Sequence, residues 1–454
     1  MNLKIGPAGV RGLAGETLTP ELLIAFAEAF GTYLGPGSVL VGRDTRPSGE
    51  MAFAAVAAGL TSVGCSVVDA GVCPIPIVQH ALARSGAMVG GIAIAAGHIP
   101  AQWNALKFFG GDGTPLNAFQ AEELLDIYHR REFKTAAWDQ LGTQSTRHDL
   151  TGLFLDDLCA HFDVESIRRA RLKVAVDCAT GTAGPVTAEL LGRLGCEVTF
   201  LRDKPGHGDP RDAETEWSSV HMASLCQTVR ALEADLGFAQ DRDADRLAVV
   251  TEAGEALPED YTLLLAAMNI LAKERGPIVA TVSATRALDD LAARYGCRLH
   301  RCRVGEADVV ERMRSLGAVI GGDAAGGVVY PPLHHGRDSF AGMALILELV
   351  ARTGKNPGRL LAEVPRYEIV KASIPCPTDR IGLVLAEIRA RYRREELDLT
   401  DGVKVTWPDR WVQIRPANTE LVLRVVAEAS ARADALALCD EVRAAAEDAI
   451  HASS

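Results

Sequence analysis

The sequence predicts an α/β protein: three related α/β domains followed by a smaller C-terminal α+β domain. Three observations predict it. The chain has 454 residues, too many for one hydrophobic core. One order of elements recurs at three separated places: apolar strand, polar loop, amphipathic helix, glycine stop, strand. The last stretch abandons that order for closely spaced strands and a long Ala-rich helix.

The first repeat has a strand over residues 38–42 (SVLVG), a loop RDTRPSG and a helix over 50–63. A second strand starts at Gly64-Cys65-Ser66-Val67-Val68. The second repeat is LKVAV at 172–176, the loop DCATGTAG, a helix over 185–194, then Gly195-Cys196-Glu197-Val198. The third is PIVATV at 277–282, the loop SATR, a helix over 287–295, then Gly296-Cys297-Arg298-Leu299. Each is a βαβ unit, which builds parallel strands with helices on the sheet faces, and the glycine closes the helix. From Tyr367 the chain reads YEIVKASIPC, a helix over 382–394, the strands VKVTW, WVQIRP and LVLRVVAEA, and a helix from Ala431. The charged run 389–396 reads as a solvated helix face. Residues 132–149 lack apolar periodicity and read as a linker without an element. The expected domains are 1–145, 146–252, 253–365 and 366–454.

Composition is that of a soluble globular protein, 48% hydrophobic and 23% charged, with net charge −12. That balance excludes nucleic acid and an anionic membrane surface as partners. A phosphorylated ligand would need a local basic pocket. The ten cysteines form no CxxC pair and often sit beside apolar residues, which predicts reduced thiols and a cytoplasmic setting. The start MNLKIGPAGVRG has no apolar h-region, and no apolar run reaches about 18 residues, so neither a signal peptide nor a membrane span is expected.

Residues 236–250, LGFAQDRDADRLAVV, carry the clearest chemistry. Strand-like runs flank Asp241, Asp243 and Asp245. A spacing of two puts alternate side chains on one side of an extended loop, so the three carboxylates are expected to converge. Oxygen-only ligands suit a hard divalent cation, Mg²⁺. An EF-hand would also read Asp241, Asp243, Asp245 and Glu252 in its register. It fails because Arg246 stands where the turn needs glycine and because the flanks are strands. Arg415, Asn418, Thr419 and Arg424 form a second constellation, in which two arginines, a hydroxyl and loop N–H groups can hold a phosphate dianion. A third segment, 92–109 (IAIAAGHIPAQWNALKFF), reads as a buried strand, a tight loop and a polar-aromatic run containing Lys107.

Together these segments resemble the α-D-phosphohexomutases, over the whole chain and in order, most closely the archaeal-type phosphoglucosamine mutases. The family's catalytic loop, T-A-S-H-N-P then W-N-A-L-K-F, is matched by Ala95-Ala96-Gly97-His98-Ile99-Pro100 and Trp103-Asn104-Ala105-Leu106-Lys107-Phe108. Its D-G-D-A-D-R loop is matched by residues 241–246, with Arg242 in place of glycine. Its R-P-S-N-T-E loop is matched at 415–420, with Ala417 for serine. The sugar-recognition loop and the H-x-G-R-D after it correspond to residues 321–329 and 334–338, with Asp323 for glutamate and Ala325 for the serine or asparagine. Val304-Gly305-Glu306 matches a V-G-E of the archaeal type. Gly6-Pro7-Ala8-Gly9-Val10-Arg11-Gly12 resembles G-T-S-G-I-R-G, and residues 42–49 match the next motif almost unchanged.

The resemblance implies mixed sheets around a central cleft and a Mg²⁺-dependent site for a phosphosugar, with a sugar 1,6-bisphosphate as a further ligand, in a monomer or homodimer. It implies catalytic roles for position 97, His98, Lys107, Arg11 and Arg246, and sugar contacts from Asp323, Ala325, His334 and Arg337. The family's serine carries the phosphoryl group, and Gly97 cannot. Pro7, Ala8, Ala95, Ala325 and Ala417 likewise replace groups that hydrogen-bond, while the charged positions are kept. Three readings follow: a phosphosugar mutase with another phosphoryl carrier (His98 or a diffusible bisphosphate), a different Mg²⁺-assisted reaction such as a phosphatase, or a phosphosugar-binding protein without turnover.

Overall fold

The computed structural model describes residues 3–6, 9–97, 99–204, 206, 219–417 and 421–452. Four sheets form along the chain. The first has strands β1 (Leu3–Gly6), β2 (Gly9–Leu13), β3 (Ser38–Arg43), β4 (Ser66–Val72), β5 (Met88–Ile94), β6 (Trp103–Gly110) and β7 (Gln144–Thr146), in the order β1-β2-β6-β5-β3-β4-β7. The second has β8 (Lys173–Asp177), β9 (Glu197–Leu201), β10 (Leu236–Gln240) and β11 (Leu247–Val250), ordered β11-β10-β8-β9. The third has β12 (Ile278–Thr281), β13 (Leu299–Cys302), β14 (Ile320–Gly322) and β15 (Val328–Val329), ordered β13-β12-β14-β15. The fourth is antiparallel: β16 (Glu368–Pro375), β17 (Glu396–Asp398), β18 (Val403–Thr406), β19 (Arg410–Pro416) and β20 (Val422–Ala429), ordered β16-β20-β19-β18-β17.

The repeats pair in parallel as expected: β3 with β4 and β5, β8 with β9 and β10, and β12 with β13 and β14. Each sheet then adds an antiparallel return, β5 to β6, β10 to β11 and β14 to β15, so the sheets are mixed. These returns decide where the chemistry sits. The four motif loops are the hairpin connections β5–β6, β10–β11, β14–β15 and β19–β20. In the first three sheets they open at the carboxyl end of a parallel strand, the usual ligand side of an open α/β sheet.

Two expectations are corrected. Residues 132–149 are not a featureless linker. Hydrogen bonds from Ala136 N to Ser62 O (2.8 Å) and Gly142 N to Thr61 O (3.0 Å) lead into β7, which extends the first sheet beside β4. Only three residues pair, all exposed, so no apolar alternation marks the strand. Residues 396–398 leave the charged helix, which ends at Arg391, and pair with β18.

One apolar core runs through the first three sheets, joining Leu40, Phe154, Phe238, Leu288 and Phe340. The fourth sheet packs with helices Ile381–Arg391 and Arg432–His451 over a core of its own, centred on Val405, Ile414, Val425 and Val442. None of the ten cysteines forms a disulfide, and seven are buried. Among the described residues no helix is long and apolar enough to cross a membrane.

Candidate functional site

The β10–β11 connection is a tight turn, not the extended loop expected from the sequence. Ala244 adopts φ +60° and its N–H donates to Asp241 O at 3.1 Å. Ser339 Oγ, at the start of helix Ser339–Thr353, donates to Ala244 O at 2.6 Å. Gln240 donates to the same hydroxyl at 2.7 Å and accepts from Thr187 Oγ1 at 2.6 Å. This buried network fixes the turn against the third domain, and so does the bond from Leu247 N to Gly326 O (3.0 Å).

The turn aims its three carboxylates at different partners. Asp241 accepts from the backbone N–H groups of Asp245 (2.9 Å) and Arg246 (3.1 Å), and from Arg246 Nε at 3.0 Å. Asp243 Oδ2 accepts from Lys107 Nζ at 2.6 Å. Asp245 Oδ2 meets Arg337 Nη2 at 2.5 Å. The expected convergence is therefore corrected: no set of three or more acidic, His or Cys side chains among the described residues is arranged to hold a metal ion. The chemistry of the donors still fits Mg²⁺. All three are at most 2% exposed, and Asp243 Oδ1 is buried with no hydrogen-bond partner among the described residues. Burial alone would raise the Asp245 pKa, but Arg337 and Lys107 outweigh it and hold the carboxyl well below its usual range. Burial would likewise discharge Lys107, but Asp243 and Asp245 raise its pKa and keep it an ammonium.

Gly97 faces this turn. Its φ is +61°, a left-handed conformation that glycine adopts without cost. A Cβ built there would lie 3.3 Å from Asp243 Oδ2 and, among the described residues beyond its chain neighbours, meet nothing else within 4 Å except that carboxylate's carbon. Arg46 holds the loop from behind. Its Nη2 donates to Gly97 O and Ile99 O, both at 2.8 Å, and its Nη1 to Pro100 O (2.7 Å) and Trp103 O (2.9 Å). Its Nε donates to Asp44 Oδ2 at 2.9 Å. The sequence reading assigned Arg46 no role. The signal was there, in a motif matched almost without change between a strand and a helix. Arg11 lies on β2 opposite Ala105 of β6, on the side of that sheet that also bears Lys107.

The sugar-loop residues occupy different places. Asp323 folds back on its own loop, accepting from Ala325 N (2.9 Å) and Gly327 N (3.0 Å), and half-buried Ala325 is held there. Arg337 is a hub, with Nη2 on Asp245, Nη1 on Asp323 at 3.2 Å and Nε 3.3 Å from Glu306. His334 is not exposed to a ligand. It is 3% exposed and pairs at 3.0 Å with Asp338, whose other oxygen caps helix Ser339–Thr353. A His and an Asp four positions apart carried no sign of that burial.

In the fourth sheet Arg415 and Arg424 are directly opposed on β19 and β20. Like charges so placed repel, which favours an anion between them. Arg424 Nη1 also donates to Ser373 Oγ at 2.5 Å. Burial, only partly offset by Asp401, lowers the Arg415 pKa. His98, Asn418 and Thr419 lie outside the described residues.

Four family models match the chain in order, all of phosphoglucomutase/phosphomannomutase: alpha/beta/alpha domain I over residues 2–135, domain II over 153–254, domain III over 258–367 and the C-terminal domain over 374–445. The chain belongs to this family, within the α-D-phosphohexomutase superfamily. A phosphoglucomutase/phosphomannomutase of Thermococcus kodakarensis is 34% identical over 438 residues, 94% of this chain and 95% of its own. The crystal structure of a family protein from Burkholderia thailandensis superposes with TM-score 0.83 at 25% identity, covering 98% of both chains. At 16% identity the Aspergillus fumigatus N-acetylphosphoglucosamine mutase, solved with GlcNAc-6P and magnesium, shares the fold, with TM-score 0.55 over 90% of this chain and 83% of its own.

Proposed function

We propose that the protein binds a hexose phosphate and Mg²⁺ and moves the phosphoryl group between the 6- and 1-oxygens of the sugar, with a sugar 1,6-bisphosphate as phosphoryl carrier in place of a serine. The observation that carries this reading is the turn 241–246. Its carboxylates are paired with Lys107, Arg246 and Arg337, and Asp243 lies beside Gly97, a charge pattern that suits phosphoryl transfer. Arg415 and Arg424 would hold the phosphate that does not react. Lys107 and Arg246 would neutralise the phosphoryl oxygens as charge develops on them, because such transfer depends on positioning and electrostatics. Asp241, Asp243 and Asp245 would hold Mg²⁺, which supplies Lewis-acid polarisation of the transferred group.

A second reading, binding without turnover, draws on Gly97 itself. The loop is built around a left-handed residue whose carbonyl Arg46 holds, so the glycine is part of the architecture. One experiment separates the two. The protein and Mg²⁺ are incubated with glucosamine, glucose or mannose 6-phosphate, with and without the matching 1,6-bisphosphate, and ³¹P NMR follows the 1-phosphate. Isomerisation that requires bisphosphate supports the mutase reading. Binding without isomerisation supports the second, and no binding sinks both.

A further inference from the structure

Three residues, Val304 to Glu306, join all four matched domains. Val304 N donates to Asp401 Oδ2 of the fourth domain at 3.0 Å. Glu306 Oε1 accepts from Gln79 Nε2 of the first domain at 3.0 Å and from Arg337 N at 3.1 Å. Glu306 Oε2 lies 3.3 Å from Arg337 Nε, and Arg337 Nη2 reaches Asp245 of the second domain at 2.5 Å. The segment has little slack. A Cβ on Gly305 would lie 2.6 Å from Asp308 Oδ2, so the chain is packed on the first turn of helix Glu306–Leu316. Two residues span at most about 7 Å. The N–H held by the fourth domain and the carboxylate that holds Arg337 therefore belong to one short, packed run.

Asp401 is itself shared. Its Oδ2 lies 4.0 Å from Arg415 Nε, which is buried and makes no hydrogen bond among the described residues. The acid is fixed to the strand that bears Arg415. Gln413 Nε2 donates to Asp401 O at 2.8 Å, and a Cβ on Gly402, whose φ is +69°, would lie 2.2 Å from Ile414 O. An arginine so loosely paired, and opposed to Arg424, is open to an incoming anion. A phosphate there brings roughly two negative charges beside Asp401 and competes with it for Arg415. The balance on the carboxylate that holds Val304 then changes. We propose that Glu306 is a positioning residue that links the two phosphate ends of the ligand: what occupies Arg415 is passed through Asp401 and residues 304–306 to Arg337, and so to Asp245. The inference rests on the proposed binding of a hexose phosphate and deepens it to a coupling between its two ends.

The test compares ligands with one phosphate and with two. Calorimetry gives the affinity of the intact protein for glucose 6-phosphate and for glucose 1,6-bisphosphate at fixed Mg²⁺, and the ratio of the two is followed across variants. Wild type is expected to prefer the bisphosphate. Glu306→Ala and Asp401→Ala are each expected to lower that preference at least about fivefold, the low end of ordinary coupling between sites. Glu306→Gln keeps an oxygen for Gln79 and Arg337 N and is expected to restore part of it. Both residues lie on one link, so the double alanine variant should lose no more than the larger single loss. Failure of one variant to fold leaves the ratio to be read in the others. Equal weakening of both ligands in Glu306→Ala marks a structural role only and overturns the coupling. Losses that add in the double variant overturn it too, as does an unchanged ratio in every variant. In each of these cases the binding function stands. No binding of glucose 6-phosphate to wild type overturns the functional reading and the coupling with it.

Discussion

Around residues 241–246 nearly every buried charge meets an opposite one, whereas several polar atoms buried near the seat of the fourth sheet meet none. Asp260 Oδ1, Thr281 Oγ1 and Gln413 Oε1 have no hydrogen-bond partner among the described residues. The apolar packing differs in the same sense. The first three sheets share a core, and the fourth keeps its own and is joined through polar contacts. These include Lys404 Nζ to Val282 O (2.7 Å), Arg286 N to Glu428 Oε1 (3.1 Å), Lys371 Nζ to Glu259 Oε2 (2.6 Å) and Val304 N to Asp401 Oδ2 (3.0 Å). Interfaces of that kind move at low cost. On the proposed function, the contrast teaches that the two halves of the site would be built on opposite principles. One would be locked and balanced, to place a reacting group, the other charged and lightly held, to bear the distal phosphate.

The locked half breaks most severely at its hub. Replacing Arg337 with alanine leaves Asp245, Asp323 and Glu306 without their shared cation, all poorly exposed. Removal of one partner of a buried pair costs about 3–5 kcal/mol. Urea unfolding should show that loss, and a change below about 1 kcal/mol would mean the cluster is not locked.

The junction of the third and fourth domains should respond to pH. Burial raises the Asp260 pKa to about 7, the nearby Glu428 and Glu259 add to the rise, and Lys371 opposes it. A raised acid favours the folded state while protonated. Its stabilisation is complete below the unfolded pKa of 3.8 and is lost as pH rises from there through about 7. Asparagine mimics the protonated form, so Asp260→Asn should gain stability over wild type progressively between about pH 4 and 7. The gain above pH 7 should be on the order of 2–4 kcal/mol. Parallel stability curves for the two proteins from pH 5 to 8 would remove this group from the contrast.

Much of the locked half was legible in the sequence, and its wiring was not. The three repeats gave the parallel strands because strand and helix periods are local. Residue type and spacing singled out Asp241, Asp243 and Asp245, because a hard cation needs clustered carboxylates, and the family resemblance singled out Lys107 and Arg246. The hairpin returns were not legible, since whether a strand comes back antiparallel depends on tertiary neighbours. For that reason the pairing of Lys107 with Asp243, 136 positions apart, could not be read. His334 and Arg337 fit a ligand site equally well on paper. The cap on helix Ser339–Thr353 and the reach of Asp245 sent one into the core and the other into the cluster.

The lightly held half makes the opposite prediction to Arg337. Arg424 faces Arg415 across β19 and β20, so Arg424→Ala removes a repulsion along with a ligand. Stability should change by no more than about 0.5 kcal/mol. Affinity for glucose 6-phosphate, by calorimetry, should fall by about ten- to a hundredfold, the worth of a charge-assisted hydrogen bond of roughly 1.5–3 kcal/mol. An unchanged affinity would place the distal phosphate elsewhere.

The smallest effect concerns the glycine beside the locked turn. Gly97→Ser must put a side chain on a backbone at φ +61° and a Cβ 3.3 Å from Asp243 Oδ2. The left-handed backbone costs about 1–2 kcal/mol, and the contact is close enough that the carboxylate must give by a few tenths of an ångström. The expected loss of stability is therefore about 1–2 kcal/mol, with Arg46 still holding the loop, as read by thermal unfolding. If the substitution instead costs nothing and installs bisphosphate-independent isomerase activity, the loop was never committed to glycine. The hydroxyl at position 97 would then be enough to restore serine-borne transfer despite the other departures from the family's pattern. If stability falls as expected and no activity appears, the locked half has been rebuilt around the missing hydroxyl, and the carrier must be sought in the ligand.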